Sequence, residues 1–159
     1  MTVSFEDRSD FNNLYLDYIN DFEKVNRFFS YNFKNQDDFI ECVKDKSKTY
    51  LKNADFDRIR LADVLKDQNE KFHSSSASLE NIEHLRNDNS FAVVTGQQIG
   101  LLSGPLYTIY KALNTIRLAN ELNEKHEQYK FVPVFWLECE DHDFLEINNI
   151  NVIDKKNEK

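Results

Sequence analysis

Along the first half of the chain, apolar residues recur at helical spacing. Phe11, Leu14/Tyr15, Tyr18/Ile19, Phe22, Val25 and Phe29 follow the i, i+3/i+4 pattern of one buried helical face. Asp37 or Asp38 is placed to cap a second helix carrying Phe39, Val43 and Tyr50. Leu61, Val64, Leu65 and Phe72 mark a third. The serines at 74–76 then interrupt the pattern before Leu79, Ile82 and Leu85 on a fourth. No internal repeat or low-complexity stretch accompanies these helices.

The pattern changes near residue 90. Residues 91–95, Phe-Ala-Val-Val-Thr, form a short apolar and β-branched run, the signature of a strand covered on both faces. All three glycines and both prolines lie beyond this point. A glycine-spaced loop follows the strand, and Gly104-Pro105 opens a helix, since proline in the first turn sacrifices no intrahelical hydrogen bond. Leu106, Ile109, Tyr110, Leu113 and Ile116 line one face of that helix, which runs out in the polar stretch 123–128. Residues 131–137 give a second buried strand, with Pro133 expected near its start because proline cannot donate to a ladder. A third strand is expected near residues 150–153.

Strand, loop, helix and strand make a βαβ unit, so the two strands are expected to be parallel. The loops that follow them must then emerge on one edge of the sheet. Ligands of open α/β sheets bind at that edge, outside the carboxyl ends of the strands. Residues 95–98 and 140–143 are therefore expected to end neighbouring strands and to form one side of an active site.

Composition narrows what such a site could serve. With 40% apolar and 30% charged residues among 159, the chain is globular rather than disordered, and large enough for one good core. Its net charge of −8, with no basic stripe, argues against nucleic acid and anionic membranes as partners. The apolar run 131–137 is too short to span a bilayer, and the first residues lack the basic and apolar regions of a signal peptide. Cys42 and Cys139 stand far apart in unrelated contexts, which fits a reduced cytoplasmic protein without a disulfide or zinc framework.

Two motifs carry chemistry. The first is Thr95-Gly-Gln-Gln-Ile-Gly-Leu-Leu-Ser-Gly-Pro105, whose glycines let the backbone approach a ligand and whose following helix offers N–H groups to an anion. It lacks the Gly-Lys-Ser/Thr ending of a P-loop and the G-x-G-x-x-G spacing of a dinucleotide site. Lys111, with Tyr107 and Tyr110, lies in the first turns of the helix, where it either meets a phosphate or carboxylate or is an ordinary exposed lysine. The second motif, Glu138-Cys-Glu-Asp-His-Asp143, admits three readings: a metal cluster, an acid/base pair or a solvated acidic turn. Its place after a hydrophobic strand at the ligand edge counts against the solvated turn. A single histidine among adjacent acids counts against a metal. Clustered carboxylates would raise one another's pKa and that of His142, which suits proton transfer. Cys139 reads better as a small buried residue than as a nucleophile, since nothing basic nearby would activate it.

The block from Val93 to Ala112, followed by Pro133-Val-Phe-Trp136 and Glu140-Asp-His-Asp143, closely resembles the cysteine ligase family of bacillithiol biosynthesis, as does the helical stretch 17–25. The resemblance covers essentially the whole chain. It implies an α/β fold: a helical amino-terminal region over residues 1–89, then over 90–159 the start of a Rossmann-like parallel sheet akin to class I synthetases and nucleotidyltransferases. It also implies a reaction, the joining of the cysteine carboxyl to the amine of glucosaminyl-malate, with ATP as the expected energy source. Thr95, Gly96, Gln97, Gln98, Gly100 and Gly104 would form the nucleotide-facing loop, with Tyr107 and Lys111 beside it. The block stands where the synthetases carry His-x-Gly-His, yet it holds no histidine, so phosphate contacts fall to backbone N–H groups, the glutamines or Lys111. Glu140, Asp141, His142 and Asp143 would orient the amine or relay its proton, and no metal ligand is assigned. Members of the family are several times longer and carry a coiled coil; the full-length enzyme is expected as a homodimer. The chain is accordingly expected to be an amino-terminal fragment, inactive by itself and prone to associate through exposed sheet edge and helix faces. The competing reading is a nucleotide-binding Rossmann-like module without ligase activity, in which Glu138 holds a ribose. A third is a non-catalytic interaction domain that uses the aromatic helices.

Overall fold

The computed structural model describes residues 11–50, 56–100 and 104–140, arranged in two compact units, Met1–Phe56 and Asp57–Lys159. The third strand expected near residues 150–153 lies outside the described residues.

In the first unit the apolar pattern at 11–29 does not make one helix. Helix α1 spans Asn13–Asn20 and stops at Asp21, whose backbone leaves the helical region at φ −145°, ψ 74°; a 3-10 turn over Phe22–Lys24 follows. Asn20 and Asp21 favour this break because short polar side chains compete for nearby backbone groups. The spaced aromatics still meet, by folding back rather than by helical stacking. Tyr18 lies 4.6 Å from Phe29 and 5.0 Å from Phe33, ring centre to ring centre, and Val25 is buried. Helix α2 spans Gln36–Tyr50, so Asp37 and Asp38 sit inside its first turn rather than at its cap. Asn35 precedes the helix instead, its Oδ1 accepting the Asp37 N–H at 3.1 Å, while Asp38 accepts the Asn32 N–H at 2.6 Å. The Tyr31 hydroxyl donates to Asp45 at 2.6 Å, which pushes the phenol up to about 12 and holds the carboxyl below its usual value.

The second unit begins with α3 (Arg58–Lys71) and α4 (Ser76–His84), each started by a side-chain cap: Asp57 accepts from the Arg60 N–H and Ser75 from the Ser78 N–H. Ala62 of α3 is fully buried where the two helices pack. Arg86 clasps them from one side, donating to Asp63 at 2.8 Å and to Glu83 at 2.7 Å. The expected βαβ unit follows. Strands β1 (Ser90–Gln98) and β2 (Lys130–Glu138) are parallel, running in register from Ser90 opposite Lys130 to Gln98 opposite Glu138. Pro133 is the fourth residue of β2, opposite Val93, and the pairing runs through it. Among the described residues β2 pairs on one side only, with β1, and a missing donor is tolerated on its other side.

Helix α5 (Leu106–Lys125) packs on both strands. The face it turns to them is built of small residues: Thr115 and Ala119 are buried with Leu122, and Thr108 and Ala112 are half-buried above them. Thr and Ala allow a close approach between helix and sheet. The large apolar row at 106, 109, 110, 113 and 116 is one face of the helix as expected, but it points away from the sheet and is exposed. Nor are the strands covered on both faces throughout: Val94 and Trp136, which share a face by their register, are both exposed. No helix among the described residues is long and apolar enough to cross a membrane.

Candidate active site

The parallel register places the glycine–glutamine block and the end of β2 on one sheet edge, with Thr95 opposite Phe135, Gly96 opposite Trp136, Gln97 opposite Leu137 and Gln98 opposite Glu138. Gly96 is required by this pairing. A Cβ at that position would lie 2.9 Å from the Trp136 carbonyl oxygen and 3.0 Å from its Cβ, so a side chain would push the strands apart. Gly104 has a different reason: its φ of +73° is left-handed, and it turns the loop into α5 with its Cβ direction only 3.8 Å from the Cα of Gly100.

Above this edge three side chains form a closed network. Lys111 donates to the Gly96 carbonyl at 3.1 Å and to Gln97 Oε1 at 2.9 Å. Gln97 Nε2 donates to the Tyr107 hydroxyl at 3.1 Å, and the Lys111 ammonium lies 5.1 Å from the centre of the Tyr107 ring. The four-residue step from Tyr107 to Lys111 puts both on one side of α5, and the alternation of β1 supplies Gln97. Among the described residues Lys111 has no carboxylate within ion-pair distance, and the Gly96 carbonyl and Gln97 Oε1 hold its charge in place. Among the described residues the first turn of α5 carries no acidic residue and no side-chain cap, so its start favours negative charge.

On β2, Trp136 and Glu138 are two residues apart and therefore on one face. The indole N–H donates to Glu138 Oε2 at 3.1 Å, and the Glu140 backbone N–H donates to Glu138 Oε1 at 3.2 Å. Glu138 thus fastens the turn that begins the acidic run. Glu140 is described; Asp141, His142 and Asp143 lie outside the described residues, as do residues 101–103 of the loop. Cys139 is exposed, with its thiol donating to the Leu137 carbonyl at 3.4 Å, so the expectation of a buried cysteine does not hold. Trp136 is the residue that sequence reasoning left out of the site, although the i, i+2 step to Glu138 was enough to pair them.

A family model for the N-terminal Rossmann-like domain of the bacillithiol biosynthesis protein BshC matches residues 1–159. The chain belongs to the BshC family. Its Rossmann-like assignment is thereby shown, and the βαβ unit is the part of that domain described above. Relatives named "Putative cysteine ligase BshC" occur in Christiangramia forsetii, 38% identical over 154 residues, and in Flavobacterium psychrophilum, 36% identical over 154 residues. Each alignment covers 97% of this chain and 28% of the relative. A third, from Salinibacter ruber, is 41% identical over 143 residues, covering 90% of this chain and 25% of the relative. The chain therefore spans little more than a quarter of the BshC relatives it matches.

Proposed function

We propose that this BshC-family chain supplies one wall of a cysteine ligase site, at which the cysteine carboxyl is joined to the amine of glucosaminyl-malate. The observation that carries the reading is the Lys111 ammonium, fixed by Gly96 and Gln97 at the carboxyl edge of the sheet and lacking a carboxylate partner among the described residues. The names of the relatives support the reaction class. The donor set fits the anionic tail of ATP: Lys111 has a third N–H to give, Gln97 and Tyr107 flank it, and the uncapped start of α5 favours negative charge. When bound, ATP would supply the activation that a carboxylate needs before it can form an amide.

The remaining roles belong to the chain's own residues. Gln97, by accepting from Lys111 while donating to Tyr107, holds the cation at one height above the edge. Gln98 and Thr95 extend the same edge, and Gly100 and Gly104 belong to the loop that would face the nucleotide. Glu140, Asp141, His142 and Asp143 orient the amine of the acceptor or take its proton. Two measurements test this. Calorimetry of the 159-residue chain should show ATP binding that Lys111→Met weakens tenfold or more; unchanged binding removes Lys111 from the site, and binding of NAD instead would favour a nucleotide module. In the full-length Christiangramia forsetii relative, cysteine and glucosaminyl-malate should condense only when ATP is present. Condensation without it would refute the role of ATP.

A further inference from the structure

Helix α5 has two faces of opposite character, and among the described residues only one of them packs on other elements. The sheet takes the small residues Thr115 and Ala119 with Leu122. The other side carries Leu106, Ile109, Tyr110, Leu113 and Ile116, between 46% and 63% exposed. An open groove of about 540 Å³ runs along it, lined by Tyr107, Tyr110, Leu113, Asn114 and Arg117 together with Lys111. In a helix that needed only to cover a sheet, this outer side would be polar. The spacing of the stripe is informative. Leu106, Ile109, Leu113 and Ile116 follow steps of three, four and three, the seam into which the side chains of a second helix interdigitate.

We propose that this stripe is the docking face for an amphipathic helix contributed by the part of the family's chain that lies outside the matched residues. Two observations choose this occupant over a second copy of the chain. First, the seam is short: from Leu106 to Ile116 its four positions cover about 15 Å of helix, too little to reach the roughly 1,200 Å² that holds separate molecules together. A segment of the same polypeptide needs no such area, because its effective concentration is already high. Second, that polypeptide exists in the relatives: the matched 154 residues make up 28% of their length. The proposal rests on family membership; because the groove shares Tyr107 and Lys111 with the proposed ligase site, it is tested at Leu113 and by labelling instead of by ATP binding.

Thiol labelling tests it. Leu113→Cys in the 159-residue chain should react as fast as the exposed Cys139, read peptide by peptide by mass spectrometry. A cysteine at the aligned position of the full-length Christiangramia forsetii relative should react at least tenfold more slowly in the native protein and recover full reactivity in denaturant. Equal rates in the two native proteins would overturn the proposal. So would protection in the short chain, which would identify a second copy as the occupant if it grows with concentration, or the chain's own residues if it does not. If the variant relative does not fold, Ile116→Cys and its aligned counterpart, measured in the same way, decide the question.

Discussion

The two ends of the βαβ unit are made from the same strands and differ in almost every other respect. At the amino ends Ser90, Phe131 and Val132 are 1%, 3% and 2% exposed, whereas near the carboxyl ends Trp136 and Leu137 are 61% and 56% exposed. Hydrophobicity along β2 does not account for this, since the strand is apolar at both ends. The second half of α5 does. Its small residues let it settle onto the strands, and Asn123 locks the closed end by donating to the Phe131 carbonyl and accepting the Phe131 N–H, both at 2.8 Å. At the open end the helix meets the strands through the polar Gln97–Tyr107–Lys111 network instead. One end anchors the unit, which leaves the other free to present charge and an exposed indole.

This division of labour can be broken from either end. The largest effect should come from the anchor. Phe131→Ala is expected to cost about 3–5 kcal/mol in urea unfolding of the second unit, against under about 1 kcal/mol for Leu137→Ala six residues along the strand. Equal losses would mean that the two ends share the load. Asn123→Leu should cost about 2–3 kcal/mol by the same measurement, because the Phe131 N–H and C=O are left unpaired in a partly buried setting. Gly96→Ala sharpens the boundary between the ends: about 1–3 kcal/mol is expected, since the atom it meets is the Trp136 backbone oxygen, which cannot turn aside. A neutral result would assign this glycine to ligand access instead of strand pairing.

The smallest effect lies on the exposed perimeter. Arg86, and after it Lys66, hold the Glu83 carboxyl below its ordinary value of 4.5. A lowered folded-state pKa gives stability that is present above 4.5 and is lost as pH falls through the folded value. Glu83→Gln should therefore lower stability by a small and salt-sensitive amount above pH 4.5, and the two pH–stability curves should converge as pH falls through the folded value. A loss that persists at low pH would show that the side chain braces α3 against α4 by more than its charge.

Legibility in the sequence followed the same division. The βαβ unit, its parallel sense and the shared edge were readable because apolar β-branched runs, glycine spacing and a proline-started helix all agree there. The placing of Lys111, Tyr107 and Gln97 near one another was also readable, although which atoms bond was not: that depends on the height at which α5 crosses the edge. The sequence misled where a pattern had two physical solutions. Phe11 to Phe29 fits a helix or a folded-back aromatic cluster, and Asn20-Asp21 decides for the second. On α5 the larger apolar face was the natural candidate for the sheet, yet Thr115 and Ala119 face it, because closeness of approach outweighed side-chain size. Cys139 looked buried by its chemistry and is exposed by its place one residue past the ladder.

The register has a consequence for how the molecule assembles. Ser90 pairs with Lys130 and Gln98 with Glu138, so every pairing in the sheet joins residues forty positions apart. Closing so long a gap is entropically costly and slow, whereas a helix of twenty residues forms in about a microsecond or less. Folding of this unit therefore runs through α5, which at about 1.5 Å per residue converts a loose loop into a rod comparable in length with the two nine-residue strands. Until that rod exists, the apolar stretch 131–137 has no partner, and during this interval it adds to the apolar surface through which the chain can aggregate.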